Sequence, residues 1–233
     1  MQIQLFHLQN SRSQRVIWFL EELQLDYELI TCSSSEDNEG LKKLRKLDPN
    51  AKFPTIHILT ENDSFFLSET SAIIEYLSSL NPALNISNFS DIDLQHFYYW
   101  KNFSEASFLP DLVLKQVFHQ ITAQTPFLLH LIPQFIKFTF DKKYLNPKLK
   151  QYMKKIDLHL SKNQWMAGKH FSIADILIWF PIHAYDQATH QYTEFPHIQR
   201  YILQIESRPA FQKALSLGQW SNWNFKEYWM SAW

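Results

Sequence analysis

The chain has 233 residues, 45% hydrophobic and 16% aromatic, enough to bury one large core or two small ones. Lys plus Arg number 22 against 23 Asp plus Glu, with no segment that interleaves basic and aromatic residues along a phosphate-tracking face, so nucleic acid is not an expected partner. Three glycines, at 40, 168 and 218, cannot build a phosphate loop or a dinucleotide fingerprint, and the ten histidines show no HExxH or other close ligand spacing; ATP, NAD and metal are not expected as cofactors.

Residues 2–8, "QIQLFHL", alternate polar and apolar side chains as a strand does. The N-terminus lacks a basic region followed by an apolar run and a small-residue cleavage site, so no signal peptide is expected and the location expected is cytoplasmic. Residues 7–23, "HLQNSRSQRVIWFLEEL", begin as a loop and become a helix after the polar cluster Asn10, Ser11, Arg12 and Ser13. Ser11 with Gln14 reads as a capping box. A second strand is expected over 27–31, "YELIT", and the single cysteine, Cys32, follows it; it can form no internal disulfide and no CxxC motif, which suits a reducing compartment.

A charged helix is expected over about 36–47, then a strand in "FPTIHIL", a turn in "TENDS", another strand, and a helix starting near Ser68. The order is βαβαββα and ends near residue 80. Residues 81–91, "NPALNISNFSD", read as a linker. From 92 to 233 apolar residues recur at helical spacing, as in Leu149, Tyr152, Met153 and Ile156, which predicts an all-α second domain behind an α/β first one. The longest apolar stretches, "ADILIWFPIHAY" and "PFLLHLIPQFIKF", fall short of the roughly 20 residues that span a bilayer, so no membrane partner is expected.

Three motifs carry a mechanism. In "KFPTI" Pro54 begins a strand; it is either an edge-strand marker or a cis proline that leaves the backbone of Phe53 free to pair with a peptide-like ligand. In "LSETSAIIEYL" the Ser and Thr residues can cap a helix, while the helix N-terminus could take a carboxylate and Glu69 an ammonium group, matching the zwitterionic end of an amino acid. In "GKHFSIADIL" Ser172 at the N-cap and Asp175 at N3 form a variant capping box, with Phe171 and Ile176 as a hydrophobic staple; this motif is structural.

A βαβ-ββα domain with X-Pro before its third strand and Glu-Thr opening its third helix, followed by an all-α domain containing "SIAD", resembles the cytosolic glutathione transferases over the full chain. The run "NSRSQRVIWFLEEL" is similar to the microbial branch that carries "SRSQR". The resemblance implies a thioredoxin-like first domain that binds glutathione as co-substrate, a hydrophobic electrophile pocket between the domains, and a homodimer. Glu69 and Thr70 would meet the γ-glutamyl end, Phe53 before a cis Pro54 the cysteinyl backbone, and Lys52 or Lys42 the glycine carboxylate. Phe53 stands where the family often carries valine, which would reshape the neighbouring pocket. The sulfur contact falls in the 10–13 loop, which holds no tyrosine or cysteine; Ser11 is the expected catalytic residue, with Ser13 and Asn10 as alternatives.

Four of the eight tryptophans lie in the last 14 residues. Trp220, Trp223, Trp229 and Trp233 either complete the core or offer a flat wall to the electrophile, as Tyr99, Trp100 and Phe103 could. Thiolate attack on a small electrophile is the leading activity. Glutathione-dependent peroxide reduction, and non-catalytic binding of glutathione or hydrophobic ligands, are the other readings.

Overall fold

The computed structural model describes residues 1–32, 39–49, 52–189 and 194–231. Strands β1 (Gln2–Leu8), β2 (Glu28–Cys32), β3 (Thr55–Leu59) and β4 (Ser64–Ser68) form one sheet in the order β2-β1-β3-β4. The pair β1/β2 is parallel; β1/β3 and β3/β4 are antiparallel. Helices α1 (Gln14–Glu22), α2 (Glu39–Leu47) and α3 (Thr70–Leu80) complete the thioredoxin-like βαβαββα order. Of the expected charged helix, residues 36–38 lie outside the described residues. The alternation in β1 works on two faces: Ile3, Leu5 and His7 point one way, while Phe6 points the other and clusters with Cys32 and Leu44 of α2.

The second unit is helical. α4 (Asp91–Phe103) starts at Ser90, whose hydroxyl accepts the Asp93 N–H. It continues through a π-helical turn at 104–108 into α5 (Leu109–Gln124). α6 (Leu131–Phe140) runs in the same way through a π turn at 141–145 into α7 (Asn146–Leu160). Each π turn precedes a proline, Pro110 and Pro147, and the cause is local: proline donates no N–H and its ring crowds the carbonyl four residues earlier, so the helix widens there. α8 (Ile173–Thr189), α9 (Pro196–Glu206), α10 (Pro209–Leu217) and α11 (Asn222–Ser231) follow.

The start of α8 follows the expected capping box. The buried Asp175 carboxylate accepts the Ser172 N–H at 2.8 Å, and Ser172 Oγ accepts the Ala174 N–H at 3.3 Å. The same carboxylate also accepts the Met166 N–H at 2.8 Å and the Tyr201 hydroxyl at 2.9 Å, so it ties a loop and α9 to the helix start. The Ser172 hydroxyl donates to it as well, at 3.1 Å, and burial pushes its pKa up to about 6 against these four donors, which favour the charged form.

The chain groups by contact into two compact units that do not follow the linear domain order. One is Met1–Asn88 with Ile205–Phe225; the other is Phe89–Gln204 with the residues from Lys226 onward. Residues 205–225, within the stretch expected to form the second domain, group by contact with the first unit. The physical reason is a set of contacts onto α1 and its loop: Arg208 forks onto Glu22 at 2.6 Å, Lys213 pairs with Glu21 at 2.6 Å, and Phe211 meets Trp18 edge-on at 4.9 Å. Helical periodicity carries no information on which unit a helix packs against.

Candidate functional site

Strand register decides which motifs meet. Phe6 pairs with Thr55, and Thr55 pairs with Ser68, their hydroxyls 2.7 Å apart. The loop after β1, the Phe53–Pro54 step before β3 and Glu69 after β4 therefore emerge at one end of the sheet. Residues separated by some sixty positions in sequence become neighbours because β1 and β3 run in opposite directions.

Within the loop, the hydroxyls of Ser11 and Ser13 are both inward. Ser11 Oγ donates to the Leu8 carbonyl at 2.8 Å, accepts the Ser13 N–H at 3.2 Å and lies 2.8 Å from Ser13 Oγ. Ser13 Oγ accepts the Leu8 N–H at 3.1 Å and lies 2.7 Å from His7 Nδ1. His7 Nε2 is 3.0 Å from the Gly218 carbonyl, which can only accept, so Nε2 carries the proton and Nδ1 is an acceptor. Two hydroxyl protons thus serve two acceptors, the Leu8 carbonyl and His7 Nδ1, and none is left over. Burial pulls the His7 pKa down to about 4, so no extra proton enters the network at neutral pH.

The expected Ser11–Gln14 capping box is not formed. α1 begins at Gln14 with Ser13 at the N-cap position and no side-chain cap bond, while Gln14 Nε2 reaches the Ala214 carbonyl at 2.6 Å. Tertiary partners took the side chains that local logic assigned to the cap. Asn10 has φ +56°, a region its short amide tolerates, and its Oδ1 accepts the Ser221 N–H at 2.8 Å. Among the described residues no acceptor meets the backbone N–H groups of Asn10, Ser11 and Arg12, which leaves the positive end of α1 open to an anion.

The Phe53–Pro54 peptide is cis. The Phe53 side chain packs on the Phe6, Cys32 and Leu44 cluster beside Phe66, so its bulk turns into the unit. Lys52 is exposed; Lys42 is half exposed and lies 3.7 Å from Glu39. Cys32 is buried and its thiol is pushed up to about 11 by that burial, which keeps it protonated and unreactive. Glu69 is exposed at φ +76°, caps nothing with its side chain, and precedes the buried Thr70 that opens α3.

In the second unit, Tyr99 and Trp100 line a cavity of about 460 Å³ with His96, Lys155, Leu158 and His159. Lys155 Nζ lies 2.5 Å from the Tyr99 hydroxyl. Burial, with the nearby His96 as a second cause, lowers the His159 pKa to about 4. Phe103 is buried against Phe108 and Tyr152. Trp223 is exposed on the part of α11 that belongs to the first unit, where Trp220 stacks on Phe225 at 4.9 Å. Trp229 is buried on Phe180 in the second unit, and Trp233 lies outside the described residues.

The residues missed by sequence reasoning are those that hold the loop from a distance: His7, Gly218 and Ser221. His7 alone left a trace, as a polar side chain at an inward position of an alternating strand.

A mixed four-stranded sheet of this order in one unit and an all-helical second unit are the thioredoxin-like arrangement of the glutathione S-transferase fold. The family model for the glutathione S-transferase N-terminal domain matches residues 5–84, and that for the C-terminal domain residues 137–216. The chain is 32% identical over 210 residues to glutathione S-transferase 3 of Schizosaccharomyces pombe, covering 89% of this chain and 84% of that one. A crystal structure of a glutathione S-transferase from Actinobacillus pleuropneumoniae superposes with a TM-score of 0.72 at 26% identity, covering 94% of each chain. A Pseudomonas fluorescens family member solved with two glutathione bound gives 0.70 at 22%, covering 91% of this chain and 92% of that one. This chain belongs to the glutathione S-transferase family.

Proposed function

We propose that this glutathione transferase, of the branch carrying "SRSQR", binds glutathione along the sheet end formed by the 10–13 loop, Phe53–Pro54 and Glu69–Thr70, and presents its thiolate to a small hydrophobic electrophile. The observation that carries the reading is Glu69. An exposed non-glycine residue at φ +76° costs about 1–3 kcal/mol. Its side chain returns none of that to the helix it precedes. A strained carboxylate beside a helix N-terminus fits a group with one ammonium and one carboxylate, the γ-glutamyl end, with Thr70 as the neighbouring donor. Phe53 would pair with the cysteinyl segment through its backbone, and Lys52 or Lys42 would meet the glycine carboxylate.

Ser11 is assigned the sulfur contact, through its backbone N–H together with that of Arg12, with Asn10 and Ser13 shaping the loop. The hydroxyl is second in line, because its proton is already given to the Leu8 carbonyl. A thiol of pKa about 8.5 is mostly protonated at neutral pH; N–H donors at a positive helix end favour the thiolate. Tyr99 and Trp100 are the proposed apolar contacts of the electrophile, with Phe103 supporting them from behind and Trp223 a further candidate. A cytoplasmic homodimer joined mainly through α4 and α5 completes the reading.

Calorimetry with glutathione tests it. Binding by the wild type that weakens tenfold or more in Glu69→Ala, with the melting temperature unchanged because alanine keeps the same backbone strain, is the expected result. Absence of binding, or equal loss of affinity and stability, would overturn it.

A further inference from the structure

α6 is turned inside out. Its buried-residue set is empty, and its largest apolar side chains face solvent: Leu131 is 78% exposed, Ile132 64%, Phe135 71% and Phe138 61%. The turn before it adds Phe127 at 92% and Leu128 at 90%. The side that meets the rest of the unit is held by one aromatic contact, Phe140 on Phe118, and by ion pairs: Lys137 Nζ lies 3.0 Å from Asp141, which Lys115 of α5 also reaches at 3.1 Å. A surface helix of a globular protein shows the opposite pattern. Single-chain proteins rarely expose contiguous apolar patches beyond a few hundred Å². Three largely exposed phenylalanines, each offering about 150–250 Å² when fully open, approach or pass that size before the aliphatic residues are added.

Charge separates the candidates for what covers this face. Between Leu112 and Ile156 the sequence holds eight lysines and one acidic residue, Asp141, in a chain whose formal net charge is −1; Lys148 and Lys150 pair with Asp111 and Glu194 from outside that stretch. Asp141 is already engaged by Lys115 and Lys137. Lys142 and Lys143, in the turn that leaves α6, are exposed, and Lys142 lies over the Phe138 ring at 5.6 Å. A second copy docking through the same face would bring two segments of like charge together, which costs affinity. An apolar face flanked by the exposed Lys142 and Lys143 matches the interface of an anionic bilayer, where side chains of this kind enter the headgroup boundary and lysines meet lipid phosphate.

We propose that residues 127–143 form a peripheral docking surface for a membrane rich in anionic phospholipid. This replaces the expectation of no membrane partner drawn from the length of the apolar run. Length excludes crossing the bilayer, and no helix among the described residues is long and apolar enough to do so. It does not exclude lying on one. The proposal is independent of how glutathione is bound.

The test is co-sedimentation of the full chain with extruded vesicles, phosphatidylcholine alone against phosphatidylcholine with about 30% phosphatidylserine, in about 0.1 M and 0.5 M salt, with light scattering of the same samples without lipid. The wild type should sediment with the anionic vesicles, several-fold less at high salt, and little with neutral ones. The triple substitution Phe127→Ser, Leu131→Ser and Phe135→Ser should lower the bound fraction at least tenfold with an unchanged melting temperature and solution mass. Lys142→Glu with Lys143→Glu should lower it on anionic vesicles. Absence of wild-type binding to anionic vesicles, or binding that survives the triple substitution, overturns the proposal. So does a triple variant whose solution mass halves, since that would make the face a contact between copies of this chain.

Discussion

At the scale of single residues, Ser11 and Ser13 carry one hydroxyl each into one network and yet differ in what their loss should do. Ser13→Ala removes the partner of His7 Nδ1 and the acceptor of the Leu8 N–H, both buried, and should cost about 1–3 kcal/mol of stability. Ser11→Ala keeps the backbone N–H proposed to face sulfur, so kcat/KM with an aryl halide should fall less than tenfold. A fall of a hundredfold or more, with a raised thiol pKa of bound glutathione, would show that the hydroxyl leaves the Leu8 carbonyl for the sulfur. Asp175 yields a pH signature. Its folded pKa of about 6 lies above the ordinary carboxyl value of 3.8, so the folded state holds the proton more tightly. That contribution is fully present below pH 3.8 and is lost as pH rises through about 6, up to about 3 kcal/mol. Asp175→Asn should be less stable throughout, because four donors lose a carboxylate. Measured by urea unfolding, the gap between wild type and variant should narrow from pH 4 to pH 7; a gap that widens would contradict the assignment.

At the scale of elements, the docking of residues 205–225 on α1 is the feature that links a distant segment to the proposed active loop. Gly218 stands at its centre: its carbonyl accepts from His7, and a Cβ there would overlap the Gln14 side chain that reaches Ala214. Gly218→Ala should therefore destabilise the protein by about 1–3 kcal/mol through a displaced Gln14. Calorimetric melting would check it, and a melting temperature within one degree of wild type would show that Gln14 swings away freely. Because the same segment holds Asn10 through Ser221, the variant should also weaken glutathione binding. The π turns before Pro110 and Pro147 are, by contrast, local consequences of proline and need no tertiary partner.

At the scale of the whole molecule, acid sensitivity is set by histidines buried in the neutral form. Burial lowers the pKa of His7, His159 and His183 from 6.5 to about 4. For each, the unfolded state binds the proton more readily, so the stability it contributes is present above pH 6.5 and is lost as pH falls through about 4. Three such groups outweigh the opposite trend of Asp175. The urea midpoint should be clearly lower at pH 4.5 than at pH 7.5, and equal midpoints would refute the neutral burial of these rings. A homodimer should appear in light scattering at twice 27.9 kDa; a mass near 27.9 kDa at micromolar concentration would remove that part of the reading.

What the sequence by itself determined is whatever depends on neighbours along the chain. The alternation of "QIQLFHL" placed β1 at Gln2–Leu8, and "SIAD" placed the start of α8, with Ser172 and Asp175 bonded as their spacing requires. The opening of α3 beside Glu69 was legible for the same reason, since helix-cap chemistry acts over a few residues, whereas the residues around Pro54 left the cis Phe53–Pro54 peptide and an edge-strand proline both open. Only the tertiary structure decided which partner each polar side chain in the 10–14 loop would take. Gln14 had a cap to offer, and instead its amide donates to the Ala214 carbonyl 200 residues away, a partner that only the packing of the two segments brings within reach. The grouping of 205–225 with the first unit and the outward turn of α6 were equally invisible, because a periodic pattern states that a helix has an apolar face and never what that face will meet.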